Sequence, residues 1–216
     1  MKAILFFVLF FSFSCAFAQE MPARWDELTA SDFPLALDKS SQTCILPFGI
    51  LEKHGQHSPI GTDLIHVREW AARATKQEYA VVFPDYFYGQ INEARQQPGT
   101  FALPSRVIYD LLEATCDEIA RNGFKKIVIL NGHGGNPEFI QFFMQSFLNK
   151  RHNYVIYFYT PEDDVEFTKE YRKMHQSDLR TDQHAGERET STLLYYRPDL
   201  MRMDRAGQQS GEIKSG

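Results

Sequence analysis

The stretch 51–63, Leu-Glu-Lys-His-Gly-Gln-His-Ser-Pro-Ile-Gly-Thr-Asp, constrains this chain more than any other. The apolar run Cys44-Ile45-Leu46 precedes it and stops at Pro47 and Gly49, as a buried strand does at its end. Beyond that end come Glu52, His54 and His57, then Asp63 at the mouth of a predicted helix. Alternate residues of an extended segment share a side, so Glu52 and His54 face together. Gly55, Pro59 and Gly61 allow the segment to fold back and return Asp63 to the same spot. Open α/β sheets gather their ligands outside the carboxyl ends of the strands, which is where these groups fall. Carboxylates and imidazoles without a thiolate suit Zn, Mn or Fe better than a structural cysteine-type zinc site.

The rest of the chain supplies the framework. Residues 19–40 read as an N-terminal arm with a short helix, and strand one covers about 43–48. A helix over about 64–76 turns Leu64, Val67, Ala71 and Ala74 inward. Residues 79–83 read as a short strand closed by Pro84, and a long loop over 84–104 follows. That loop carries Tyr86, Tyr88, Asn92, Glu93 and Pro98-Gly99-Thr100, and loops of this length in compact domains tend to be functional. Ser105 is expected to cap a helix ending at Asn122-Gly123. The continuous apolar run 127–130 has the character of a central parallel strand. Pro137 sits where a first helical residue belongs, and Phe139, Ile140, Phe143 and Phe147 follow at core spacing. Residues 154–159 form another strand, 160–183 a polar stretch with a short helix, and 187–196 a final helix. Strand, loop and helix recur about four times, which predicts an α/β layer fold with a mostly parallel sheet.

The N-terminus stands apart. Met1-Lys2, an apolar run over 3–13 and Ala16-Phe17-Ala18 predict a secretory leader over 1–18, too short to span a membrane. The single domain is then 19–216, exported to a periplasm or the exterior. Lipidation at Cys15 ranks second, because Phe13-Ser14 before it is a poor signal. Cleavage takes Lys2 and no acid, moving the net charge from −5 to −6, so no basic face points to nucleic acid. Cys44 and Cys116 remain as two buried, unpaired thiols, with a disulfide between them the minority alternative.

His133 stands at the end of strand 127–130 among Gly132, Gly134 and Gly135, which let the backbone turn tightly and bring a metal or substrate close. Alone it would be a histidine on a tight turn. Beside Glu52, His54 and Asp63 at a second strand end, the ligand assignment is the stronger one.

Three blocks, the 51–63 stretch, Asn-Gly-His-Gly-Gly-Asn at 131–136 and His-Ala-Gly-Glu-Arg-Glu-Thr-Ser at 184–191, resemble the creatininase (creatinine amidohydrolase) family and follow its order. The resemblance implies a three-layer α/β/α fold with a mostly parallel sheet, assembled as a homo-oligomer, commonly a hexamer. It also implies two divalent metal ions: Glu52, Asp63 and His133 on one, His54 and Asp63 on the other, with Asp63 bridging. The second metal then lacks a carboxylate. One branch supplies it from the loop after the histidine, where this chain has Gly135. The other branch carries a glutamate in the His-Ala-Gly-Glu block, so Glu187 is the expected fifth metal ligand. Glu189, two positions on, is expected to orient a ligand or the substrate, or else to be an exposed helix charge. His184 matches the catalytic-pocket histidine of the family, a base able to shuttle a proton to the leaving nitrogen, with a surface loop histidine as its alternative. His57 is expected near the site without binding metal, and His66, His152 and His175 facing solvent.

The expected activity is hydrolysis of a small, non-peptide, possibly cyclic amide by a water held between two cations. Ala94 and Gln97 stand where the family often has a histidine and an aromatic, and 155–183 contains no tryptophan, so creatinine is not the expected substrate. Arg180 lies near one vacated position and suits an anionic or larger substrate. A secreted metallopeptidase-like member of the family is the enzymatic alternative. A metal-dependent binding protein without turnover is the alternative from another class.

Overall fold

A computed structural model describes residues 20–161, 165–177 and 184–208. The leader expected over 1–18, with Cys15, and the position of Arg180 lie outside these residues. Four parallel strands, β1 (Thr43–Phe48), β2 (Val81–Val82), β3 (Lys126–Asn131) and β4 (Val155–Tyr159), stand in the order β2-β1-β3-β4. The strand expected over 79–83 shortens to two residues. Phe83 still donates its N–H to Ile45, but Pro84 has none to continue the ladder. Val82 donates instead to Ala23, so the N-terminal arm covers this edge.

Alternation along β1 separates two cores. Cys44, Leu46 and Phe48 face helices α1 (Phe33–Lys39), α3 (Ser105–Arg121) and α4 (Pro137–Phe147), where Leu112, Cys116, Ile119, Ile140 and Phe143 are fully buried. Ile45 faces the other way, onto Leu64, Val67 and Ala71 of α2 (Thr62–Gln77). Ala74, expected on that face, is exposed. The helix α6 (Glu187–Tyr196) packs on α2, and α5 (Val165–Met174) precedes it. Helices on both faces of a parallel sheet make the expected α/β fold. Ser105 is the first residue of α3 rather than its cap; Pro104 holds the cap position, and the Ser105 hydroxyl accepts from Asn92 at 3.4 Å. Cys44 and Cys116 are free and buried.

The chain leaves β1 through α2 to β2 on one side, then crosses by the 84–104 loop and α3 to β3 on the other. The switch point therefore lies between β1 and β3, whose last residues, Phe48 and Asn131, stand level in the ladder. Two glycines let α2 close over it. A β-carbon at Gly49 would meet Leu64 Cα at 2.7 Å, and one at Gly132 would meet the Asp63 carbonyl oxygen at 2.6 Å. The first turn of α2 thus rests against backbone at both strand ends, which fixes where Asp63 points.

Candidate functional site

Asp63, in that first turn, is almost completely buried, and its two oxygens face different histidines. Oδ1 lies 3.1 Å from His54 Nε2, and Oδ2 lies 3.0 Å from His133 Nδ1. Glu52 Oε1 approaches the same His133 nitrogen at 3.1 Å. His54 and Glu52 come from the segment after β1, and His133 from the turn after β3. Sequence-distant residues meet here because the two strands end at one level.

The tautomer of His54 is set by its surroundings. Nδ1 lies 3.2 Å from the Glu52 carbonyl, which can only accept, so Nδ1 carries the proton and Nε2 presents its lone pair toward Asp63. In the metal-free protein the ring nevertheless attracts a second proton. Burial opposes the charge, but Asp63, and after it Glu189 and Glu52, outweigh burial and hold its pKa at about 9. His133 is held at about 10 by Asp63 and Glu52, again against burial. Asp63 moves well below the carboxylate range despite its burial, because both rings stabilise its charge.

His184 stands at the mouth, 46% exposed at its side chain, its ring centroid 4.4 Å from that of His54. Its Nε2 donates to the Lys53 carbonyl at 2.7 Å, leaving Nδ1 turned toward Glu52 Oε1 at 3.7 Å. The structure thus brings together Glu52, His54, Asp63, His133, His184 and Glu189, and it does not bring Glu187.

The expectation for Glu187 needs correction. Its carboxylate accepts the N–H groups of Gln176 and Ser177 and the Ser177 hydroxyl at 2.6–3.1 Å, with His175 at 3.2 Å. Glu189 Oε2 lies instead 3.6 Å from His54 Nε2 and accepts the Ala185 N–H at 2.6 Å. The helix begins at Glu187 as expected, so the difference is one of facing. Residues two apart on a helix point in nearly opposite directions, and Glu189 shares the inward face with Leu193, which is fully buried. Its reach back to the backbone before the helix resembles a capping box. Burial, ahead of its neighbours, raises the pKa of Glu189.

Supporting polar groups surround this set. His57 Nε2 donates to Thr190 Oγ1 at 2.8 Å, tying the 51–63 segment to α6, and Thr190 donates to the Ala185 carbonyl. Gly55 adopts φ +61° beneath that ring, where a β-carbon would meet His57 Nδ1 at 2.7 Å. Buried Asn131 receives the His133 N–H and one amide hydrogen of buried Asn136, which fixes the glycine turn. Both asparagines lie in the 131–136 motif, but sequence spacing offers no sign that they bond each other.

Three histidines expected in solvent are not there. His66 is 4% exposed, between the rings of Trp70 and Tyr196. His152 stacks on Phe147 at 3.4 Å and donates to its carbonyl. His175 is covered against Tyr171 and Glu187. In each case an aromatic neighbour supplies an apolar wall that spacing along the chain does not reveal.

The donor set fits divalent cations. Glu52 Oε1, His54 Nε2 and Asp63 Oδ2 are buried without an aligned hydrogen bond, although other ligand atoms crowd to about 3 Å. Convergent lone pairs left unsatisfied are what a cation repairs. Three groups among the described residues have ligand geometry: Glu52, Asp63 and His133; His54, Asp63 and Glu189; and Glu52, His54 and His184, the first two sharing Asp63.

A parallel α/β sheet with carboxylates and imidazoles converging at its switch point defines an α/β protein with a candidate metal centre. Residues 26–215 match the family Creatininase, described as creatinine amidohydrolase, and the chain belongs to that family. Creatinine amidohydrolase of Pseudomonas putida is 26% identical over 191 residues, covering 83% of this chain and 74% of that protein. A 3-dehydro-scyllo-inosose hydrolase of Thermotoga maritima is 27% identical over 170 residues, with 77% of this chain and 54% of that protein covered. A mycofactocin precursor peptide peptidase of Mycolicibacterium smegmatis is 33% identical over 102 residues, with 44% and 40% covered. The chain therefore spans about half the length, or less, of the latter two. Solved structures share the fold: a manganese creatininase superposes with a TM-score of 0.75 at 24% identity, covering 85% of this chain and 76% of that one. A Zn-Zn creatininase variant gives 0.71 at 23% identity with the same coverage.

Proposed function

We propose that the protein hydrolyses a small carbon–nitrogen amide with two divalent cations, held by Glu52, Asp63 and His133 and by His54, Asp63 and Glu189. One observation carries this: the oxygens of buried Asp63 face His54 and His133 separately, at 3.1 and 3.0 Å, as a carboxylate shared between two ions would. When bound, such ions polarise a carbonyl and supply a hydrolytic nucleophile at neutral pH. Zinc and manganese are favoured, since the similar solved structures are named for those metals.

The protein's own groups divide the remaining work. The Glu52 carbonyl holds the His54 tautomer, and the Asn131–Asn136 pair holds the turn that carries His133. His184, anchored by its Nε2–H on the Lys53 carbonyl, keeps a bare Nδ1 toward the reacting region, where it can take up the proton released by the attacking water and deliver it to the leaving nitrogen. Its exposure supports a position on the substrate's path. Creatinine is not the proposed substrate, because Ala94 and Gln97 stand where the family often has a histidine and an aromatic, and 155–183 contains no tryptophan.

Metal analysis of the purified chain together with turnover of a panel of small amides tests this proposal. Two bound metals with hydrolysis of at least one amide are expected. Bound metal with no turnover on any amide or peptide would instead favour a binding protein. Peptide hydrolysis is the second reading, favoured by the 33% identity to the mycofactocin precursor peptide peptidase. Two further properties are proposed. Export rests on the leader over 1–18, and N-terminal sequencing of the mature chain checks for a start near Gln19. Homo-oligomerisation, hexameric by family resemblance, is supported by the apolar edge strand β4, whose Val155, Tyr157 and Tyr159 are 44–53% exposed, and light scattering checks it. Among the described residues no helix is long and apolar enough to cross a membrane.

A further inference from the structure

The two histidines at the switch point are not equally supported. His54 gives its outer nitrogen to the Glu52 carbonyl and keeps the inner one for the site. His133 turns Nδ1 inward, toward Glu52 and Asp63, but its outer nitrogen, Nε2, is buried without a hydrogen-bond partner. The residue as a whole is 9% exposed, so bulk water does not serve it freely. Histidines that bind metal through one nitrogen almost always donate the other N–H to a carboxylate, a carbonyl or a water.

A carboxylate faces that nitrogen across a small gap, beyond direct hydrogen-bond reach. A β-carbon at Gly135 would lie 2.6 Å from His133 Nε2 and 3.0 Å from Glu93 Oε1, so both atoms edge the small space a side chain at 135 would take. Glu93 sits in the short 3-10 turn Asn92–Ala94 of the long loop, far in sequence from His133. Its position is prepared. Gln90 Nε2 donates to Glu93 Oε2 at 2.9 Å, Gln90 Oε1 accepts the Asn92 N–H at 2.7 Å, and the Gln90 N–H donates to Asn136 Oδ1 at 3.0 Å. Asn136 in turn donates to Asn131, which receives the His133 N–H. One polar frame therefore carries both the histidine and the carboxylate. Gly89 lets the loop dock this closely, since a β-carbon there would meet Asn136 Oδ1 at 2.5 Å.

We infer that Glu93 is a positioning residue for the metal site, accepting the Nε2–H hydrogen bond of His133 through one bridging water and so fixing Nδ1 as the donor to the cation. The absence of a side chain at 135 is what leaves room for a water between the two. The inference rests on the reading that Glu52, Asp63 and His133 hold a cation.

The test is a zinc titration of the chelator-stripped full chain against a chromophoric chelator, comparing wild type, Glu93→Ala and Glu93→Gln. Loss of an outer partner of this kind costs about 10–100-fold in metal affinity. Glu93→Ala is expected to show a loss of that size, and Glu93→Gln, whose amide oxygen still accepts a hydrogen bond, to stay closer to wild type. Glu93 lies at the exposed rim, so all three metal-free proteins should melt together. Equal zinc affinity in wild type and Glu93→Ala overturns the inference while leaving the metal site intact. Equal losses in both variants overturn it too, because hydrogen-bond acceptance would then not be what matters. A wild type that binds no zinc would refute the metal reading itself, and the inference with it.

Discussion

Glu189 Oε2 lies 3.6 Å from His54 Nε2, bringing a carboxylate from the last helix to a histidine from the first strand's end. Asp63 touches the same nitrogen, so His54 is flanked by two acids that arrive from two different helices. Glu189→Gln should therefore lose one of two metals and most of the turnover. Glu187→Gln should retain both metals, since that side chain instead holds Gln176 and Ser177. Metal content by elemental analysis decides between them, and the opposite pattern would return the ligand role to Glu187.

Asp63→Asn removes charge from a group facing both histidines. Both metals should weaken together, by more than the roughly 10–100-fold that loss of an outer partner costs. His54→Ala should weaken mainly one. Equal metal content in Asp63→Asn and wild type would exclude sharing of this carboxylate.

The histidines also set a pH dependence for the metal-free protein. Their folded pKa values, about 9 for His54 and about 10 for His133, lie above the ordinary 6.5. The folded state thus keeps protons that the unfolded chain releases above about pH 6.5. Their contribution to stability is full below that pH and is lost as pH rises through 9 to 10. With zinc present the sign reverses, because the ligands must be deprotonated to bind and affinity climbs across the same window. Thermal melts at pH 6 through 9 with chelator and with zinc should diverge as pH rises. Parallel curves would show that these histidines do not bind the metal.

Gly132→Ala tests the close approach of α2 without replacing a ligand side chain. The new β-carbon would press on the Asp63 carbonyl at 2.6 Å and on Val67 at 3.0 Å, and backbone cannot swing aside as a flexible side chain can. A stability loss of about 1–3 kcal/mol, usual for overpacking, should accompany weaker metal binding. Chemical denaturation and zinc titration read the two effects. Gly134→Ala, where nothing lies within 4 Å, is the control expected to change little.

Much of the framework was legible along the chain, for local reasons. The run Cys44-Ile45-Leu46 stopping at Pro47 and Gly49, and the run 127–130 stopping at a glycine turn, marked two strand ends. Apolar residues three and four apart in 105–121 marked a helix with one inward face. The residues 52, 54, 63 and 133 follow from these ends, because chemistry in parallel α/β sheets collects there.

Other features depended on how elements rotate and dock. Spacing alone leaves Glu187 and Glu189 as alternatives, since it relates each only to its own helix. Which one meets His54 is decided when Leu193 is buried and Ala185 offers its N–H to Glu189. The burial of His66 needed Trp70 and Tyr196 to meet around it, and the approach of Glu93 to His133 needed a loop docked on Asn136. The sequence by itself determined the α/β class, the strand ends and the residue types gathered there, because periodicity and turn chemistry act over a few residues. Tertiary structure alone decided which carboxylate faces which imidazole, because that depends on contacts between segments whose relative rotation no local pattern encodes.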